Sequence, residues 1–200
     1  MNVNPRKENS AEHFNSVAAE WSNSDEAVAI AQKVLRATGF RSGQSLLDVA
    51  SGTGVIPAAL QQLGIEPSRY LAVDISESML ERLHENFPQA QTICADFEEP
   101  FTAAAGYDCV LIYNSIPHFS RLDMLFANAA RCLNPGGHFM IAHSRTRQGL
   151  REHHQRIGHI SNRPPIPADE ELFLLAGRSG FGQIACTDEE FFSFICRRTS

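Results

Sequence analysis

The chain has 200 residues, a formal net charge of −6, 43% hydrophobic residues and 20% charged ones. That length suits one domain with a substantial core. Its apolar runs are strand-sized and fall short of the roughly 20 residues a membrane span needs. An acidic chain also repels a phosphate backbone, so neither a membrane span nor nucleic-acid binding is expected. The N-terminal stretch MNVNPRKENSAEHF has no apolar core after its charges. It reads as a short polar tail rather than a secretory signal. The cysteines at 94, 109, 132, 186 and 196 are odd in number and form no CxxC pair. They predict reduced, structural thiols and a cytoplasmic location. The oligomeric state is not legible.

In chain order, residues 12–21 and 25–38 read as helices, the second capped by Ser24 and ended by Gly39. LLDVA at 46–50 is a nearly continuous apolar strand, as in a sheet covered on both faces. A helix is predicted at 54–63 and a strand at YLAVDI, 70–75. Ser76 then starts a helix that is broken before Pro88. QTICAD and YDCVLIYN read as the third and fourth strands. RLDMLFANAARCL is an amphipathic helix stopping at Asn134–Pro135, and GHFMIAHS is the fifth strand. Two further helices, RQGLREHHQRIG and ELFLLAGRSG, flank a proline-rich connection. FGQIACTDE and EFFSFICRR close the chain as an antiparallel pair. Strands alternating with helices predict an α/β fold, doubly wound about a mostly parallel sheet. Ligands of such sheets bind beyond the carboxyl ends of the strands.

The first strand runs into a glycine turn, LLDVASGTGVIP. Glycines at 52 and 54 permit a sharp turn and a close backbone approach to a ligand, and the next helix aims free N–H groups at the same place. Nicotinamide and flavin proteins use a related loop. Two residues weigh against a dinucleotide. Pro57 stands where a GxGxxG loop needs its third glycine. Asp48 places a carboxylate inside the strand, where it suits a cation and would repel a pyrophosphate. A nicotinamide-dependent oxidoreductase and a non-catalytic adenosyl-binding module remain the alternatives.

LLDVASGTGVIP resembles motif I of class I S-adenosylmethionine-dependent methyltransferases, more usually written with Gly or Cys where Ala50 stands. The ordered set of marks is similar to the small-molecule branch, the ubiquinone and menaquinone type. The resemblance implies a Rossmann-like, seven-stranded sheet with helices on both faces, S-adenosylmethionine as cofactor and a small-molecule acceptor. It implies that Asp48, Ala50, Gly52, Gly54 and Asn114 hold the cofactor's methionyl end. It further implies that Asp74 accepts from both ribose hydroxyls, that Ile75 packs on the adenine, and that Asp96 and Phe97 line the adenine pocket. LNPGG before the fifth strand is another family mark. FNSVAAEWS resembles a helix that folds over the cofactor, with Phe14 and Trp21 as lid residues. The Asn/Asp-Pro-Pro-Tyr/Phe motif of amide and base methylation is absent from YNSIPHF. The expected division is a lid region at 1–40, a cofactor-binding core at 41–145 and acceptor-side helices at 146–175.

His118 follows the fourth strand and His143 ends the fifth, so both are expected to open toward the transferred methyl. Leu150, His153, His154 and Ile157 share one helical face. These histidines are open to three readings: ordinary pocket residues, a general base at His118 or His143, or a metal site of His118, His143 and His153 or His154. Residues 145–163 carry Arg145, Arg147, Arg151, Arg156 and Arg163 against only Glu152. Arginine forks suit carboxylates and phosphates, so the segment is either an anion-binding acceptor wall or a solvated basic face.

Overall fold

A computed structural model describes residues 5–158 and 163–199. The helices are α1 (Pro5–Val17), α2 (Asp25–Ala37), α3 (Val55–Leu63), α4 (Glu77–Asn86), α5 (Leu122–Cys132), α6 (Arg147–Arg156) and α7 (Asp169–Arg178). The strands are β1 (Ser45–Val49), β2 (Arg69–Asp74), β3 (Gln91–Cys94), β4 (Tyr107–Tyr113), β5 (Leu133–His143), β6 (Phe181–Asp188) and β7 (Phe192–Arg198). They form one sheet in the order β3-β2-β1-β4-β5-β7-β6. The first five strands run parallel, and β7 pairs antiparallel with both β5 and β6. This is the predicted doubly wound, mostly parallel seven-stranded sheet with its closing antiparallel pair.

The alternation of side chains along the central strands divides the core in two. Leu47, Val49, Val110, Ile112, Phe139 and Ile141 face a cluster completed by α5 and α7. Leu46, Leu111, Met140 and Ala142 face the other way, onto α2 and α3. A period of two on a sheet covered on both faces produces this division. Ser24, Ser76 and Thr146 cap α2, α4 and α6, each side-chain oxygen accepting a backbone N–H at 3.1 Å. Among the described residues no helix is long and apolar enough to cross a membrane.

Three local expectations change. The polar N-terminal stretch is helical from Pro5, and that helix ends at Val17 rather than 21. LNPGG is not a loop before β5 but its first segment. The pairing with β4 jumps from Tyr107–Leu133 to Cys109–His138, so the proline and glycines are accommodated in a bulge. Of the four residues expected to share one face of the sixth helix, Ile157 is 62% exposed and Leu150 alone is buried.

No helix follows β3, and residues 95–106 cross to β4 as a loop. Asn128 of α5 holds that crossing. Its Nδ2 donates to the carbonyls of Phe97 and Glu99 at 2.6 and 2.7 Å, and its Oδ1 accepts the Phe101 N–H at 3.3 Å. Asn128 is fully buried, and its bonds to the Phe97 carbonyl and the Phe101 N–H are buried too, so those two groups would otherwise be desolvated orphans. Replacing Asn128 by Ala is expected to cost about 3 kcal/mol, from orphaned backbone groups at roughly 1–3 kcal/mol each with partial relaxation. Urea unfolding measures it, and a loss under about 1 kcal/mol would remove Asn128 from this role.

Candidate active site

The C-terminal ends of β1, β2 and β4, with the loop after β3, open into one cavity. Its floor is the turn after β1. Ala50 and Gly52 there take positive φ values of 56° and 53°. A Cβ on Gly52 would meet nothing within 4 Å, so the backbone there borders open space. Gly54 does something else. It caps α3 at φ 99°, and a Cβ on it would lie 2.8 Å from the Phe87 ring. The second glycine is thus required by the packing of α3 on the end of α4, and it does not line the cavity.

The Asp74 side chain joins this turn to the next strand. Gly52 N–H donates to Oδ2 at 2.8 Å and Ser76 N–H to Oδ1 at 2.9 Å. Burial pushes the Asp74 pKa above the ordinary carboxylate value, and these backbone bonds pull it partway back. Asp48 sits deeper. Tyr70 donates its hydroxyl to Asp48 Oδ2 at 2.6 Å. Burial, opposed by that bond and reinforced by the charge of Asp74, pushes Asp48 up to about 7.

Eight of the nine expected cofactor-binding residues border the cavity: Asp48, Ala50, Gly52, Asp74, Ile75, Asp96, Phe97 and Asn114, with Gly54 outside. Asp96 accepts the Glu98 N–H at 2.9 Å, and Phe97 leans on Phe101 at 5.0 Å. Asn114 also takes a positive φ, 59°. Its Oδ1 accepts the Ser144 N–H at 2.6 Å, which links the ends of β4 and β5. Over the mouth lie Phe14, Trp21 and His118. Phe14 meets the His118 ring edge-to-face at 5.1 Å.

Several contributors carry no motif. Asn15 Oδ1 accepts the Ser76 hydroxyl at 2.6 Å and the Ser78 N–H at 3.2 Å, which latches α1 onto the start of α4. Glu98, wholly buried, accepts the N–H groups of Ser120 and Arg121 and so fixes the turn after His118. Asn128 was visible only as a polar residue inside the apolar stripe Leu125, Phe126, Ala129, Cys132.

The acceptor-side residues separate. His118 borders the cavity and His143 does not. His143 is buried, and its Nδ1 accepts the Arg145 N–H at 3.0 Å. Burial, with the charges of Arg145, His154 and His118, pushes its pKa down to about 3. A neutral imidazole whose Nδ1 is occupied keeps its proton on Nε2, which makes it a hydrogen-bond donor rather than a base. His153 and His154 lie on α6 with ring centroids 6.2 Å apart. Among the described residues no group of three His, Cys, Asp or Glu side chains could hold a metal ion, so the histidine metal site does not assemble there.

Arg147 is committed elsewhere. It donates to Asp169 at 2.6 Å and to the Pro167 carbonyl at 2.8 Å, and lies 3.6 Å from Asp188. Its guanidinium also covers the Phe192 ring at 4.5 Å. It staples α6 to α7 and β6 rather than facing an acceptor. Arg163 donates to the carbonyls of Pro117 and Phe119.

Residues 47–141 match the methyltransferase domain family. The ubiquinone/menaquinone biosynthesis C-methyltransferase UbiE of Yersinia pestis is 27% identical over 148 residues, covering 66% of this chain and 57% of that protein. The biotin biosynthesis bifunctional protein BioHC of Cellvibrio japonicus is 35% identical over 98 residues, 48% of this chain and 19% of its own length. The chain therefore spans little more than half of the first of these relatives and less of the second. Among solved structures, magnesium protoporphyrin IX methyltransferase of Synechocystis with bound S-adenosylhomocysteine aligns with a TM-score of 0.68 at 16% identity, covering 98% of this chain and 100% of that one. Phosphoethanolamine N-methyltransferase 2 of Haemonchus contortus, in complex with phosphomonomethylethanolamine and S-adenosylhomocysteine, aligns with a TM-score of 0.64 at 16% identity, covering 84% and 51%.

Two outcomes follow from the strained turn and the buried carboxylate. Ala50→Gly relieves roughly 1–2 kcal/mol of left-handed strain, less the greater unfolded-state entropy of glycine. It is expected to stabilise the chain by about 0.5–1 kcal/mol in urea unfolding. Asp48 keeps a proton in the native state that the unfolded chain releases near its ordinary value of 3.8. Its contribution to stability is therefore lost as pH rises from about 4 to about 7. The ligand-free melting temperature of Asp48→Asn, relative to wild type, should rise across that window. A constant difference would show that the native carboxyl is ionised throughout.

Proposed function

We propose that this chain, a member of the class I S-adenosylmethionine-dependent methyltransferases, transfers a methyl group from S-adenosylmethionine to a small anionic acceptor. The observation that carries the cofactor half is the pair of buried carboxylates beside an open glycine turn. Asp48 is costly to ionise where it stands, and a ligand bearing sulfonium and ammonium groups supplies the countercharge. Asp74, already bonded through one lone pair on each oxygen, keeps acceptor capacity for a ribose diol. Asp96 and Phe97 offer an acceptor and an apolar wall to an adenine. A negatively charged pyrophosphate would meet Asp48 and Asp74 instead of a cation, which disfavours the nicotinamide reading.

When bound, the cofactor supplies an electrophilic methyl group. The chain's own part is placement and exclusion of water. Phe14 and Trp21 close the mouth, and Asn15 holds the closing helix to α4. His118, the histidine that borders the cavity, is the residue placed to receive an acceptor proton. Arg145, two residues after His143, donates its N–H to that ring and is the arginine of the segment we assign to the acceptor side. That supports an acceptor carrying a carboxylate or phosphate. We assign residues 1–40 to the lid, 41–145 to cofactor binding and 146–175 to the acceptor side, with Trp21 shared between lid and acceptor.

Isothermal titration with S-adenosylmethionine tests the cofactor. Affinity should rise about tenfold from pH 6 to pH 8 as Asp48 ionises through about 7, and Asp48→Asn should flatten the rise. Binding of NAD with none of S-adenosylmethionine at millimolar concentration would falsify the proposal. Methyl transfer to a panel of carboxylate, phosphate and neutral acceptors tests the rest. Arg145→Gln should raise KM for anionic acceptors about tenfold and leave kcat within twofold. Turnover of neutral acceptors alone would overturn the anionic assignment.

A further inference from the structure

Helix α7 packs on β6, the strand that ends the sheet. Its inward residues Leu172 and Ala176 are fully buried. Its outer face is unlike that of an ordinary solvated helix. Glu170, Phe173, Leu174, Gly177 and Arg178 are all exposed and follow the i, i+3, i+4, i+7, i+8 spacing of one helical face. Phe173 is 42% exposed and Leu174 58%. Large apolar side chains scattered singly over a surface need no explanation, but two side by side in the middle of one face form a patch. Gly177 stands one turn further on. A Cβ there would meet nothing within 4 Å, so no described neighbour requires glycine. Glycine inside a helix costs about 1 kcal/mol against alanine, and what it permits is the close approach of another backbone. The two ends of the face carry opposite charges. Glu170 opens it and Arg178 closes it, about 12 Å apart along the axis and too far to pair with each other. Neither takes part in an ion pair among the described residues. Beside the helix, β6 is an open edge of eight residues that pairs with β7 alone. Natural edges are often blunted by shortness, proline or lysine. The opposite edge, β3, has only four residues, whereas β6 is long and holds neither proline nor lysine, though it bulges between Gly182 and Ala185.

We propose that the outer face of α7, with the β6 edge beside it, is a docking surface for a second copy of this chain, related by a two-fold axis that sets the two α7 helices antiparallel. Centred on Leu174, this arrangement brings Glu170 of each copy to Arg178 of the other. It lays Phe173 and Leu174 against Leu174 and Gly177 of the other copy. A two-fold makes every contact twice, so two complementary charge pairs flank one apolar centre. A parallel arrangement would instead set Glu170 against Glu170 and Arg178 against Arg178. Opposite charges placed evenly about an apolar midpoint make the face complementary to itself, which an isologous contact requires and a foreign partner does not. The same axis stands perpendicular to the sheet and runs the two β6 edges antiparallel, side by side, the direction in which such edges pair.

Sedimentation velocity of the full chain tests it. A monomer–dimer equilibrium in the micromolar range is expected, the dimer having the mass of two 22.1 kDa chains. Glu170→Arg and Arg178→Glu should each weaken it at least tenfold. An equimolar mixture of these two variants should dimerise within twofold of the wild type, because one chain then offers a positive charge at both ends of the face and the other a negative one. Both native charges also suit their own helix termini, and a role confined to helix stability predicts no recovery on mixing. Leu174→Glu, at an exposed position, should give a monomer with a wild-type far-UV spectrum. Amide exchange of residues 182–188 should slow as concentration rises through the dimer range. A chain that stays monomeric at hundreds of micromolar overturns the proposal. So does a dimer indifferent to the charge variants or to Leu174→Glu, and so do two charge variants that stay apart when mixed. A dimer lost in Ile93→Glu but kept in the α7 variants would place the contact at β3 and overturn this one. Exchange of residues 182–188 that ignores dimerisation would overturn the approach of the strands and leave the helix contact standing.

Discussion

The hydrogen bond from Gly52 to Asp74 is the tie on which the rest of the site depends. One carboxylate at the end of β2 accepts from the turn after β1 and from the first residue before α4. The parallel register makes this possible, because Val49 lies level with Val73 and the two strands end together. The tie then spreads. The Ala95 N–H donates to the Asp74 carbonyl, which sets the start of the crossing to β4. Ser76 passes its hydroxyl to Asn15 and so holds α1. Four segments distant in sequence are thereby referred to one residue. A loop positioned this way needs little rearrangement to meet a ligand, which is the physical content of preorganisation.

Charge is the second organising fact. The cavity floor holds two carboxylates that burial makes costly to ionise, and each worsens the other's position. Outside the cavity lining, Arg145 and His154 lie close enough to His143 for their charges to act on it. In the proposed reaction a cationic donor meets the carboxylates and an anionic acceptor meets Arg145. Methyl transfer would neutralise the sulfonium, pass the proton of the reacting atom to His118 and leave the acceptor's own anionic group ionised. In a site closed to water such opposite charges attract strongly, because little solvent screens them. The buried carboxylates and the proposed chemistry therefore favour the same alignment.

The fold was legible because its signals are local. Apolar runs of strand length, serine caps at 24 and 76, and the glycine turn each report on neighbouring residues. The cavity floor was legible for the same reason, since Asp48, Gly52 and Asp74 sit at fixed places relative to strand ends. Gly54 shows the limit. Its spacing suggested contact with a ligand, but its glycine requirement comes from Phe87, thirty-three residues away. Asn15, Glu98 and Asn128 were invisible for a related reason. Each acts on backbone groups of a distant loop, and a hydrogen bond to backbone imposes no residue type on its partner.

The arginines make the sharper lesson. Counted along the chain, residues 145–163 form one positive segment. In the folded protein Arg147 is matched by Asp169 and Asp188, Arg151 bonds Gln148, and Arg163 caps carbonyls. Charge in a segment is thus not charge in a site, and Arg145 is the arginine whose N–H meets His143. Burial first, and the Arg145 charge after it, hold that histidine neutral. A buried imidazole next to a cation stays neutral, and with Nδ1 engaged by the Arg145 N–H it presents only a donor. The two histidines that looked equivalent in sequence therefore part company. His143 is buried and held by the Arg145 N–H, while His118 borders the cavity and is the one the proposed reaction uses.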